Sequence, residues 1–188
     1  MPQRNMEALL LCHTPEPETA IALAGRLCYS DSDILSLKDA VQGKSQSFVK
    51  KLISLGHLSP IEHASFTFAA QGVSRALLAQ ITRHRIASFS VQSQRYVKKD
   101  ALDYIVPPSV KALGEEAELE YIAQIQQCEQ FYQHWLSLGI PAEDARFMLP
   151  NAAETRTLTL LPAKGISRVP AGTYRVTICW KCNDVLIA

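Results

Sequence analysis

Ser65-Phe66-Thr67-Phe68-Ala69-Ala70-Gln71-Gly72-Val73-Ser74-Arg75-Ala76-Leu77-Leu78-Ala79-Gln80-Ile81 changes its period part-way along. Ser65 to Phe68 alternates polar and apolar side chains, as a half-buried strand does. Gly72 allows a turn, and Ser74 is placed to cap a helix whose apolar contacts come from Ala76, Leu77 and Ile81. Gln80, Arg83 and His84 follow at i, i+3 and i+4, a spacing that predicts one shared helix face. A strand running into a capped helix predicts a mixed fold.

Outward from that stretch the alternation of element types continues. Upstream, Ala8 to Cys12 reads as a short buried strand, and Thr14-Pro15-Glu16 as the start of a helix with Ile21, Ala24, Leu27 and Cys28 on one face. Beyond a polar turn at Ser30 to Asp33, the stripe Phe48, Val49, Leu52 and Ile53 predicts a second helix, stopped by Gly56. Ser59-Pro60-Ile61-Glu62 has the form of a capping box. Downstream, Leu119, Ile122, Ile125, Phe131, Tyr132 and Trp135 fit one long amphipathic helix ended by Gly139, Pro141 to Met148 fits a short one, and Thr155 to Leu161 reads as a strand. The expected class is α/β of the α+β type, with a central, mostly antiparallel sheet flanked by helices.

At 188 residues the chain suits one domain, and 47% apolar against 20% charged residues excludes a disordered or low-complexity protein. Nineteen Lys and Arg against eighteen Asp and Glu leave a formal +1, which excludes a generally basic nucleic-acid coat. The total conceals segregation. From His63 through Lys99 there is no acid, while Arg75, Arg83, Arg85, Arg95, Lys98 and Lys99 bring six positive charges, so the rest of the chain stands at −5. No apolar run reaches signal-peptide or membrane-span length, so the expectation is a cytoplasmic protein with no membrane partner. Five cysteines form no disulfide framework; Cys12, Cys28 and Cys128 are expected as small reduced core residues. Cys179-Trp180-Lys181-Cys182 has no second pair and no histidine after His134, so no metal is expected there.

The adjacent cations Arg83, His84 and Arg85 repel one another, and something has to offset them. A helix C-terminus offers at most about 1 kcal/mol; an anionic ligand offers more. Phosphate accepts paired hydrogen bonds from guanidinium, and Ser90, Gln92, Ser93 and Gln94 add neutral donors and acceptors suited to a sugar or a base edge. A phosphate-bearing planar ligand and a solvated basic turn paired with distant carboxylates account equally well for these charges.

The segment Arg83-His84-Arg85-Ile86-Ala87-Ser88-Phe89-Ser90-Val91-Gln92-Ser93-Gln94-Arg95-Tyr96 resembles the signature of the flavin-dependent thymidylate synthases. So do Gly56 to His63, Phe66-Thr67-Phe68, Val73 to Leu77 and Gly139 to Asn151, in family order, over residues 1 to about 161. The resemblance implies conversion of dUMP to dTMP with methylenetetrahydrofolate as carbon donor, FAD as redox carrier and NADPH as reductant. It implies FAD-holding roles for His57, Ser59, Arg83, His84 and Arg85. It likewise implies dUMP-binding roles for Gln80, Arg83, Gln92, Ser93, Gln94, Arg95 and Arg146, drawn from more than one subunit of a homotetramer. Each has a plainer alternative: Ser59 as a helix cap, His57 as a polar loop residue, Arg146 as a partner of Glu143 or Asp144. Ser93 is assigned to binding, because no general base for it is evident and the family manages without an enzymic nucleophile.

Two departures stand out. Val91 occupies a place where the family has Gln or Glu, and after Leu161 the family's Asn-Ala-Arg helix gives way to Pro162-Ala163-Lys164-Gly165-Ile166-Ser167-Arg168-Val169-Pro170-Ala171-Gly172, whose prolines and glycines oppose a helix. The expected organisation is therefore a family-like domain over 1–161 with a divergent tail, 162–188, that is not a separate domain. A change of reading frame near Leu161 or Pro162 would produce such a tail. The uracil-ionising arginine of the family has no matching position, so no catalytic residue is assigned. An FAD- and dUMP-binding protein without turnover is the first alternative. A single-stranded nucleic-acid binder stacking bases on Phe66, Phe68, Phe89 and Tyr96 is the second.

Overall fold

A computed structural model describes residues 4–97, 101–165, 176–179 and 184–187. In chain order the elements are β1 (Glu7–His13), α1 (Pro17–Leu27), α2 (Ile34–Val41), α3 (Ser45–Ser54), a 3-10 turn (Ser59–His63), β2 (Ser65–Ser74), α4 (Arg75–Ile81) and β3 (Ser88–Val91). There follow α5 (Pro108–Lys111), α6 (Glu115–Ser137), α7 (Ala142–Ala145) with a 3-10 turn (Arg146–Met148), and β4 (Glu154–Pro162). β5 (Val176–Cys179) and β6 (Asp184–Ile187) form an antiparallel pair with Val176 opposite Ile187. The main sheet is antiparallel, in the order β1-β2-β4-β3, so the expected α+β class holds. Among the described residues no helix is long and apolar enough to cross a membrane.

The chain forms two compact units. One takes in the chain up to Ala8, Ala70–Arg83 and Phe89–Leu158. Its core is Leu102, Tyr104, Val106 and Ala153 packed with Ile125 of α6, and Tyr104 bridges Ala153 in antiparallel fashion. The other takes in Leu9–Ala69, His84–Ser88 and the chain from Thr159. Its core joins Ile21 of α1, Leu52 of α3, Ile61 and Ala64 to Phe66 and Phe68 of β2 and Leu161 of β4. Phe66 and Phe68 project from one strand face two residues apart and stack at 6.4 Å, each about 5% exposed. That burial overturns the idea of these two rings as base-stacking surfaces. α1 and α3 pack through Gly25, where an added Cβ would lie 2.7 Å from Leu52 Cδ1.

Several expectations need correction. β1 is an edge strand with Leu9 and Leu11 more than half exposed, because it pairs on one side alone. Cys12 and Cys28 are exposed and Cys128 is half-buried, so none is a fully enclosed core residue. Thr14 does not start α1; its Oγ1 accepts from the Ser65 N–H, and Glu16, left-handed at φ 45°, precedes the helix instead. Ser59 makes no capping bond and the segment closes as a five-residue 3-10 turn. Glu62, the expected reciprocal partner, forms an ion pair with Lys164. α2 occupies residues that the turn at Ser30 to Asp33 leaves unassigned. Cys182 lies outside the described residues.

Candidate functional site

In the first unit, α4 begins where the sequence predicts, with Ser74 Oγ accepting from the Leu77 N–H at 3.1 Å. It ends at Ile81, earlier than the charged pattern suggests. Thr82 returns its hydroxyl to the Leu78 carbonyl at 2.9 Å, and the Arg83 N–H bonds the Gln80 carbonyl at 3.1 Å, a tightened last turn. Gln80 is thus exposed on the last helical turn, while Arg83 and His84 lie beyond the helix rather than on its face.

Of the predicted substrate residues, Gln92, Ser93, Gln94 and Arg95 lie in the turn after β3 and Arg146 opens the turn after α7, while Gln80 and Arg83 stay at the end of α4. The Gln92 N–H donates to the Arg156 carbonyl at 3.0 Å, extending the pairing of β3 with β4. Ser93 Oγ accepts from the Arg95 N–H at 3.1 Å and the Ser93 carbonyl accepts from the Val97 N–H at 3.2 Å, so Gln92, Ser93 and Gln94 sit half-buried in a tight turn. No base hydrogen-bonds Ser93 among the described residues. Arg95 donates from Nε to Glu143 Oε2 at 3.0 Å, and its Nη2 lies 3.0 Å from the same oxygen. Its Cζ also lies 5.6 Å from the Tyr96 ring centroid. Arg146 opens the turn after α7 and donates from Nε to the Glu143 carbonyl at 2.9 Å.

A further cation joins them that the sequence reading left without a role. Arg75, the first residue of α4, is half-buried; burial lowers its affinity for the proton, and the neighbouring Arg146 charge adds to the effect. Two guanidinium groups held close enough to repel, one of them partly desolvated, make a positive field that suits an anion. Its signal was present in the sequence as the first cation of the acid-free run.

In the second unit lie His57, Ser59, His84 and Arg85, so the flavin set falls in this unit and the nucleotide set in the other. Arg83 belongs to both sets and is the last residue before the chain passes from the first unit to the second. Arg83 and Arg85 are exposed and meet no carboxylate among the described residues. His57 follows Gly56, whose φ of +73° turns the chain out of α3, and its Nδ1 lies 3.3 Å from the Tyr29 hydroxyl. It borders a cleft of about 440 Å³ lined by Arg26, Tyr29, Phe48, Lys51 and Leu52. Arg26 stacks over Phe48 with Cζ 4.9 Å from the ring centroid, and its buried Nε has no hydrogen-bond partner. Among the described residues no carboxylate lines this cleft.

The family model described as thymidylate synthase complementing protein matches residues 9–161. The chain belongs to that family. Every residue given a site role from the sequence falls within the matched segment. The flavin-dependent thymidylate synthase of Geobacter sulfurreducens is 46% identical over 162 residues, covering 85% of this chain and 69% of that one. The enzyme of the same name from Clostridium tetani is 41% identical over 177 residues, covering 85% and 71%. A UMP/dUMP methylase from Streptomyces cacaoi, solved with 5-Br dUMP, matches 92% of this chain and 80% of its own at a TM-score of 0.71. At 20% identity that likeness shows the shared fold. Membership places the chain among the flavin-dependent thymidylate synthases, enzymes of methyltransferase type.

Proposed function

We propose that the protein reductively methylates dUMP to dTMP, with methylenetetrahydrofolate as carbon donor, FAD as redox carrier and NADPH as reductant, in a homotetramer in the cytoplasm. On this reading residues 1–161 are the working domain and 162–188 an appended tail. The observation that carries the reading is the cation cluster of Arg75, Arg95 and Arg146 beside the half-buried Gln92-Ser93-Gln94 turn, inside the segment that matches the family. Forked guanidinium groups answer a phosphate dianion, and the amides of Gln92 and Gln94 suit the donor and acceptor edge of uracil.

The second unit's residues fit a flavin dinucleotide. The Arg26 Nε, without a partner among the described residues, the Phe48 face and a cleft lining without acid among those residues suit a planar, phosphate-bearing group. Within the same unit Arg85, which meets no carboxylate among the described residues, adds positive charge. FAD supplies electron transfer when bound. Around it this chain's own residues would neutralise phosphate charge, fix orientation and hold His57 through the Tyr29 hydroxyl. Ser93 orients rather than attacks, since its Oγ is engaged with a backbone N–H.

The test is to purify the protein, record its flavin absorption, and assay dUMP-dependent NADPH oxidation with methylenetetrahydrofolate. Bound flavin and dTMP formation are the expected result; no flavin, with none acquired from added FAD, would sink the proposal. A second reading, ligand binding without turnover, is favoured by the family match stopping at Leu161, before any uracil-ionising arginine. Flavin and dUMP binding without dTMP would select it.

A further inference from the structure

Glu143 has no ligand-binding role in the assignments above, yet it hydrogen-bonds both Arg95 and Arg146. Its side chain takes the Nε edge of Arg95, and its main-chain carbonyl takes the Nε of Arg146. An arginine has five N–H donors in a rigid fork. Holding Arg95 through Nε and Nη2 and Arg146 through Nε leaves the Nη1 end of Arg95 and both Nη groups of Arg146 without a hydrogen-bond partner among the described residues, open to an acceptor.

The pair's location argues against a purely stabilising role. Arg95 and Glu143 side chains are about half exposed, 52% and 47%, and exposed ion pairs of this kind contribute little to folding. A carboxylate beside a cluster of cations would ordinarily compete with an incoming anion. Here it engages the Nε and Nη2 edge of Arg95. With Arg146 bonded to the same residue and Arg75 near enough to Arg146 to feel its charge, the cations outnumber it and keep a positive surplus that a phosphate dianion can neutralise.

We propose that Glu143 is a positioning residue for phosphate recognition: it aims the guanidinium forks of Arg95 and Arg146 at the phosphate of the nucleotide substrate. This rests on the reading of Arg95 and Arg146 as dUMP-binding residues. The backbone carbonyl survives any substitution, so side-chain variants test the Arg95 arm.

The experiment compares dUMP with deoxyuridine, which lacks the phosphate, by calorimetry on the wild-type protein, Glu143→Gln, Arg95→Ala and the double variant. Glu143→Gln is expected to weaken dUMP binding about tenfold, the scale of one charge-assisted hydrogen bond, and to leave deoxyuridine binding and the flavin spectrum unchanged. In the Arg95→Ala background the same substitution is expected to have no further effect. Equal or tighter dUMP binding by Glu143→Gln would show a mere competitor for Arg95 and overturn the inference, as would additive losses or an equal loss for deoxyuridine. A wild-type protein that fails to bind dUMP overturns the proposed function and this inference together, whereas a binding wild type beside an unaffected variant overturns the inference alone.

Discussion

Arg75 and Gly72 lie three residues apart and carry opposite burdens. Arg75 holds a partly desolvated charge beside Arg146, an arrangement that costs folding free energy and is kept where a ligand needs the field. Arg75→Gln is therefore expected to raise the melting temperature slightly while weakening dUMP binding about tenfold, the scale of one charge-assisted hydrogen bond; scanning calorimetry and titration calorimetry check the two halves. Gly72, at φ +66°, donates its N–H to the buried Glu154 Oε1 at 3.1 Å, and a Cβ there would collide with the Asn5 carbonyl. Gly72→Ala is expected to cost about 3 kcal/mol or more, strain plus collision, seen as a lower urea midpoint with an unchanged slope. The need for glycine was legible from the turn propensity. Its place inside β2 was not, because the Asn5 backbone that crowds it lies 67 positions earlier in the sequence.

Elements were read best where one local signal fixed each end. α6 has a long apolar period and Gly139 at φ +84°, and α3 has Gly56; both run as the sequence predicts. α2 escaped because Ile34 and Leu35 are exposed while Leu37 and Val41 are buried, which blurs the helical stripe. Its start is nonetheless well capped. Asp33 Oδ1 accepts from the Leu35 and Ser36 N–H groups at 3.0 and 3.1 Å, and the Ser36 hydroxyl donates to Oδ2 at 2.5 Å. The Ser36 hydroxyl first and its N–H second hold the Asp33 carboxyl below its ordinary value of 3.8. A depressed folded-state value means the cap's contribution is complete above the ordinary value and is lost as pH falls through the folded one. Amide protection at Leu35 and Ser36 is therefore expected to hold through mild acid and collapse only at lower pH, whereas Asp33→Asn, a cap without a charge, shows no such step. The false capping box at Ser59 teaches the converse: its glutamate found Lys164, a partner about a hundred residues away that no local pattern could announce.

At the scale of the whole molecule, most of the residues expected from the sequence to bind nucleotide and flavin lie between Gln80 and Arg95, with His57, Ser59 and Arg146 apart from them, and the chain passes from the first unit to the second after Arg83 and back after Ser88. The proposed homotetramer is tested at this scale, and the first unit carries exposed apolar side chains that suit it. Along and after α6, Leu119, Phe131, Trp135, Leu138 and Phe147 are between 41% and 77% exposed, and Phe131, Trp135 and Leu138 follow one another at helical spacing near its C-terminal end. A helix read from its period alone would have turned Leu119, Phe131 and Trp135 inward; only Ile125 and Tyr132 are buried. The physical reason is that one helix with apolar residues on two faces can serve a core and an interface together. If that face pairs with other copies, sedimentation equilibrium of the purified protein should give about four times 20.8 kDa. Phe131→Glu should shift the mass toward the monomer, because burying an unpaired charge at a contact costs several kcal/mol, while the Ile125 core stays intact by far-UV circular dichroism. Dissociation with retained dUMP affinity would place the nucleotide residues of one chain as sufficient; dissociation that abolishes it would show that a second copy completes the site. A wild-type protein sedimenting at 20.8 kDa would contradict the tetramer and leave the α6 face to another partner.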